Sequence, residues 1–270
     1  MESKARNRVL GVVALTALLA SGEGVAQERD RPQEAQVGPG MVLDEDGGRR
    51  LPKPADALRA FWDPSILPHP ENWAARTQPA IAVLRQEYER YPATELDALA
   101  AALADSILAS EVPEDMTEEY RLQDDIFWTL RLAAIGDGDR DGAPHTGSFD
   151  ALVRIYETIV ARALADGGTD PVEELERSRG PSGDWQLTSA LQAIFSADRT
   201  GRGADYVLAV VAANEPPNIE DVWPMRLGSL WCEAADIVRQ NSGRGDHPRK
   251  GELPPLAQDD EMFYQLCGYH

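Results

Sequence analysis

From residue 77 onward, apolar residues return every three to four positions along most of the chain. That spacing predicts helices. In "TQPAIAVLRQEYERYP" (77–92), Ile81, Leu84, Tyr88 and Tyr91 share one face, and Pro92 stops the run. "TELDALAAALADSILAS" (94–110) carries Leu96, Leu99, Leu103 and Ile107 as a single stripe. Thr94 is its expected N-cap, with Asp97 three residues on. "TEEYRLQDDIFWTLRLAAIG" (117–136) starts at Thr117 with acids in its first turn and ends at Gly136. Both ends suit the helix dipole and a glycine stop. In "SFDALVRIYETIVARALADGG", Ser148 is the expected N-cap and Phe149, Leu152, Val153, Tyr156, Val160 and Ala163 form the stripe.

The pattern continues to the C-terminus. Asp170-Pro171 with Glu173 and Glu174 opens a short helix. "WQLTSALQAIF" and "GADYVLAVVAANE" follow, then the long "PMRLGSLWCEAADIVRQN" with Pro224 in its first turn. Residues 241–256 read as a loop, and "QDDEMFYQLCGY" as a last short helix. No period-2 run of β-branched residues is sustained, so no strand is expected. About nine amphipathic helices with no sheet to cover must cover one another. The expected fold is all-α, either stacked helical hairpins (α-solenoid-like) or an irregular helical bundle.

One internal similarity bears on that choice. "AIGDGDRDG" (134–142) aligns with "AIFSADRTG" (193–201): Ala-Ile, three residues, Asp-Arg, one residue, Gly. Each closes a helix and precedes another helix with an Asp in its first turn, Asp150 and Asp205. Such helix–turn–helix units, over residues 117–213, resemble degenerate HEAT-like repeats. The resemblance implies an α-solenoid with an extended surface for binding other proteins.

The chain ends change the picture of destination. Lys4, Arg6 and Arg8 precede the apolar run "VLGVVALTALLA" (9–20). Gly24 and Ala26 stand at the −3 and −1 positions of a cleavage site. This is the pattern of a secretory signal peptide over 1–26, with a retained N-terminal anchor as the alternative. Residues 27–56, rich in Gln, Glu, Gly, Pro and Arg, read as a flexible leader, and 57–270 as one all-α domain. The protein is expected to be periplasmic or secreted, with no later membrane span. Cys232 and Cys267 are the only two cysteines. In an oxidising compartment they invite a disulfide, contributing roughly 3–4 kcal/mol in the chain-entropy model; two buried thiols are the alternative.

The formal charge is −20. Nucleic acid is therefore a poor partner, and cations and basic proteins are favoured.

"GDGDRDG" (136–142) is the one stretch with the pattern of a ligand site. Asp137, Asp139 and Asp141 followed by Gly142 resemble the first half of an EF-hand or dockerin-type calcium loop. The second half departs from it. Position 9 is His145 and position 12 is Ser148, where the family places a bidentate acid. The aligned turn keeps Asp198 and Gly201 but has no aspartate ladder, which favours plain turn chemistry.

Catalytic motifs are missing. His69, His145, His247 and His270 form no zinc motif, and there is no Gly-x-Ser-x-Gly elbow or phosphate loop. Glu118, Glu119, Asp124 and Asp125 share one helix and read as a solvated face before paired catalytic acids. Trp128, Trp185, Trp223 and Trp231 are expected in the core or in helix seams. "AFWDPSILPHPENW" (60–73) suggests a strap across the first helices, and "RGD" (244–246) a chance match in a polar loop.

The sequence thus points to an exported helical module that binds or scaffolds another protein and has no catalysis of its own. A calcium-binding helix–loop–helix protein is one alternative. A small helical hydrolase with paired carboxylates is the other.

Overall fold

In the computed structural model, helices α2 (Trp73–Gln86), α4 (Glu118–Ile135), α7 (Trp185–Ala197) and α9 (Leu230–Gln240) pack one on the next. Each of the first three is followed by a helix that folds back: α3 (Ala93–Ala109), α5 (Thr146–Ala163) and α8 (Arg202–Ala213). Helix α3 packs on α5, and α8 meets α5 through Tyr156 against Tyr206, ring centroids 5.9 Å apart. The result is two rows of helices, the contact order of stacked hairpins. Three further pieces make it irregular: α1 (Pro54–Phe61) against α2 and α3, α6 (Pro171–Arg179) against α5, and the pair α10 (Pro255–Gln258) and α11 (Asp260–Cys267). The structure describes residues 42–43, 49–50, 52–62, 73–86, 91–112, 117–135, 145–180, 182–215, 229–240 and 249–268, all within one unit, Val37–His270.

A helix stands at each of the nine expected places, while Tyr88 of the first and the expected first turn of the eighth, with Pro224, lie outside the described residues. The stripe Leu96, Leu99, Leu103 and Ile107 is buried along its whole length. On α5, Phe149, Leu152 and Tyr156 are buried, and Val153, Val160 and Ala163 pack partly buried on the core. Ile155 and Ile159 join them, so the buried face of α5 is wider than one stripe. Two helices were not expected. One is α1, whose Pro54 and Ala57 are buried and whose first three residues belong to the segment read as a leader. The other is the four-residue α10, which starts in the last two residues of the stretch read as a loop and ends at the first residue of the expected final helix. A two-residue antiparallel ladder, β1 (Val42–Leu43) with β2 (Arg49–Arg50), corrects the expectation of no strand.

Two caps also differ. The N-cap of α3 is Pro92, not Thr94, and it makes no side-chain hydrogen bond. The N-cap of α5 is His145, not Ser148: its ring accepts from the Ser148 amide. Thr117 and Asp170 cap as expected. Thr117 Oγ1 accepts from the Tyr120 amide at 3.2 Å. Asp170 Oδ1 accepts from Val172 and Glu173, and its Oδ2 accepts from the Leu230 amide at 2.9 Å. One carboxylate therefore caps α6 and α9 together.

Buried polar groups tie the rows. Gln186 Nε2 donates to Gln123 Oε1 at 2.7 Å, and Gln123 Nε2 to the Glu111 carbonyl at 2.9 Å. This couples α7 and α4 to the end of α3, where helix carbonyls lack partners. Arg76 on α2 lies 3.7 Å from Asp125 on α4, both side chains buried. Asp125 is thus a structural ion pair, which corrects its reading as part of a solvated acidic face. At the far end, Cys232 and Cys267 are joined by a disulfide, Cα atoms 5.7 Å apart. Arg239 adds hydrogen bonds to the Ala257 carbonyl and Asp260, and Trp231 packs on Phe263. Together these hold α11 on α9.

Candidate functional site

The row α3, α5, α8 presents a regular set of charges. Asp97, Asp150 and Asp205 each stand in the first turn or so of their helix. Each is met by a basic side chain at the start of the next element. His145, the cap of α5, places Nε2 3.3 Å from Asp97 Oδ1. Arg202, the first residue of α8, donates to Asp150 at 2.6 Å. Arg249, beside the 3-10 turn Lys250–Glu252, donates to Asp205. Further along the helices, Arg154 donates to Asp105 at 2.6 Å and to the Ala101 carbonyl at 3.0 Å. Tyr206 donates to Glu157 at 3.1 Å.

A hollow of about 380 Å³ opens in this face between α3 and α5. Asp97, Asp150, Arg154 and Thr146 supply its polar edge, and Ala101, Gly147 and Ala151 its small-residue surface. A Cβ at Gly147 would meet the Asp97 carboxylate and the edge of the His145 ring, so a side chain there would displace that carboxylate from its present place. Asp97 and Asp150 are 55% and 56% exposed. Both are therefore open to solvent and to a ligand.

His145 lies behind the hollow and is 1% exposed. Its Nδ1 accepts from the Ser148 amide at 3.0 Å and lies 2.7 Å from Ser148 Oγ. With Nδ1 accepting, the ring proton sits on Nε2 and points to Asp97. Burial holds the pKa of His145 below its usual value, against the pull of Asp97 and Asp150. Ser148, His145 and Asp97 therefore lie in a row, hydrogen-bonded at Ser148 and 3.3 Å apart as an ion-pair contact at Asp97. It is not arranged for nucleophilic catalysis: Ser148 is fully buried, and the ring nitrogen facing it is engaged as a helix cap.

The sequence-derived candidates divide clearly. Cys232 and Cys267 are brought together. Asp137, Asp139 and Asp141 lie outside the described residues, as do His69, His247, His270, Trp223 and the 244–246 tripeptide. Among the described residues no group of three or more His, Cys, Asp or Glu could hold a metal ion. The aligned turn behaves as turn chemistry predicts: Asp198 accepts from the Gly201 and Arg202 amides at 2.9 and 2.8 Å. Trp185 sits in a seam, 4.7 Å from Tyr120 and 5.9 Å from Phe127, and Trp231 is in the core. From the strap, Phe61 is buried and Trp62 is 40% exposed. The α3–α5 hollow was missed. Its signal was the recurrence of a first-turn aspartate followed some fifty residues later by a basic side chain.

Compared with protein-family models, curated proteins and solved structures, the chain shows no match. The HEAT-like resemblance rests on the chain's own hairpins. No described helix is long and apolar enough to cross a membrane.

Proposed function

We propose that the protein is an exported helical-repeat module that binds another protein across the face of α3, α5 and α8, without catalysis of its own. The observation that carries this reading is the α3–α5 hollow, edged by the exposed carboxylates of Asp97 and Asp150 and beside the Arg154–Asp105 and Arg202–Asp150 pairs. Stacked helix pairs build long surfaces of this kind. The disulfide and the N-terminal apolar run support export. The strongly negative charge favours a basic partner.

Site-specific photocrosslinking in the producing cells tests the reading. A crosslinker at Thr146, on the hollow, should give one defined adduct, and one at Gln192, exposed on α7, should give none. Equal yields at both, or none at either, would overturn it.

One observation favours a second reading, the hydrolase: Asp97 and Asp150 line the same hollow. The ion pair of Asp150 with Arg202 weighs against it. The calcium reading stands on sequence alone. Its test is a thermal melt of residues 27–270 in millimolar calcium, in chelator and in magnesium; a calcium-selective rise lost in Asp139→Ala supports it.

A further inference from the structure

We propose that the α3–α5 hollow is a subsite for one ammonium or guanidinium group, the head of a lysine or arginine side chain on the partner. This rests on the protein-binding reading. Along the row, Asp150 and Asp205 are each neutralised by an arginine. The first member, Asp97, faces only an imidazole among the described residues. That imidazole is buried and accepts at Nδ1, and burial lowers its pKa against the pull of Asp97 and Asp150. Asp97 therefore stands at the edge of a cavity with no Lys or Arg paired to it among the described residues. Among the described residues the one cation lining the same cavity, Arg154, is already bound to Asp105 and the Ala101 carbonyl.

Shape agrees with charge. Ala101, Gly147 and Ala151 place no long side chain in the hollow, so a methylene stem fits against them with its head toward the carboxylates. Asp150, already paired with Arg202, edges the same cavity. The Asp97 carboxylate stays in place because Gly147 has no Cβ.

The test is an amide NMR titration of the mature chain with the blocked peptides Gly-Ser-Lys-Ser-Gly and Gly-Ser-Arg-Ser-Gly. The norleucine peptide of the same length is the neutral control. The Lys or Arg peptide should shift Ala101, Gly147 and Ala151 saturably, and norleucine should not. Which of the two binds tighter identifies the head group. Asp97→Asn keeps an acceptor for His145 and should weaken binding about five-fold, the scale of one exposed charge pair. Asp205→Asn, elsewhere on the acidic row, should change nothing. Shifts scattered over the acidic surface, or equal affinity in Asp97→Asn with an unchanged melt, would overturn the subsite. A partner that crosslinks from Thr146 yet binds Asp97→Asn as tightly as wild type would overturn the subsite and leave the protein-binding reading intact. Peptide binding without any position-dependent crosslink would do the reverse.

Discussion

Arg202 donates to Asp150 at 2.6 Å while its guanidinium lies 4.3 Å over the Phe149 ring. One side chain at the start of α8 thus grips the start of α5 by charge and by its flat face. Both charged groups are more than half exposed, so the ion pair alone contributes well under 1 kcal/mol, and the ring contact adds about as much. Arg202→Ala should lower stability by about 1 kcal/mol in urea unfolding. High salt should remove only part of the difference, because stacking on Phe149 is not screened as a surface pair is.

Asp170 serves two helices with one carboxylate. Asp170→Ala should cost about 2 kcal/mol, one cap's worth at each of α6 and α9. Asp170→Asn should recover only about half. Its oxygen can cap α6, but its NH₂ would then face the Leu230 N–H, two donors together. Urea melts of the three proteins check this ordering.

Much of this was legible in sequence, for a physical reason. The cap at Asp170 and the glycine-rich turn at Asp198 are local, so residue type and spacing announce them. The α3 stripe is local too, since every fourth residue must face the same neighbour. His145 was not legible as a cap: a histidine is a rare N-cap, and Ser148 offered the commoner chemistry. The Arg76–Asp125 pair and the α3–α5 hollow depend on which helices become neighbours. Periodicity does not encode that. The ladder of Asp150 and Asp205 was half visible, as a repeat of acids whose basic partners lay outside the aligned windows.

The His145 cap should make stability depend on pH. Burial lowers its folded pKa below the unfolded value of about 6.5. The folded state then binds a proton less readily than the unfolded state. The contribution is complete above the unfolded pKa and is lost as pH falls through the folded pKa. His145→Asn, which caps without titrating, should flatten that part of the stability–pH curve in urea melts between neutral and mildly acidic pH.

Removing the staple should loosen one end of the stack. Cys232→Ser with Cys267→Ser should lower stability by roughly 3–4 kcal/mol. Amide exchange should rise first in α11, which Arg239 and the Trp231–Phe263 packing also tie to α9.

The binding face is tested most directly by blocking the hollow and leaving the fold intact. Thr146 is exposed and lines the cavity, so Thr146→Trp fills it from the rim. The measurement is calorimetric affinity for the partner that crosslinks from this position, beside a thermal melt of the variant. The account predicts at least a ten-fold loss of affinity with an unchanged melting midpoint. Unchanged affinity would contradict it and move the binding surface off α3 and α5.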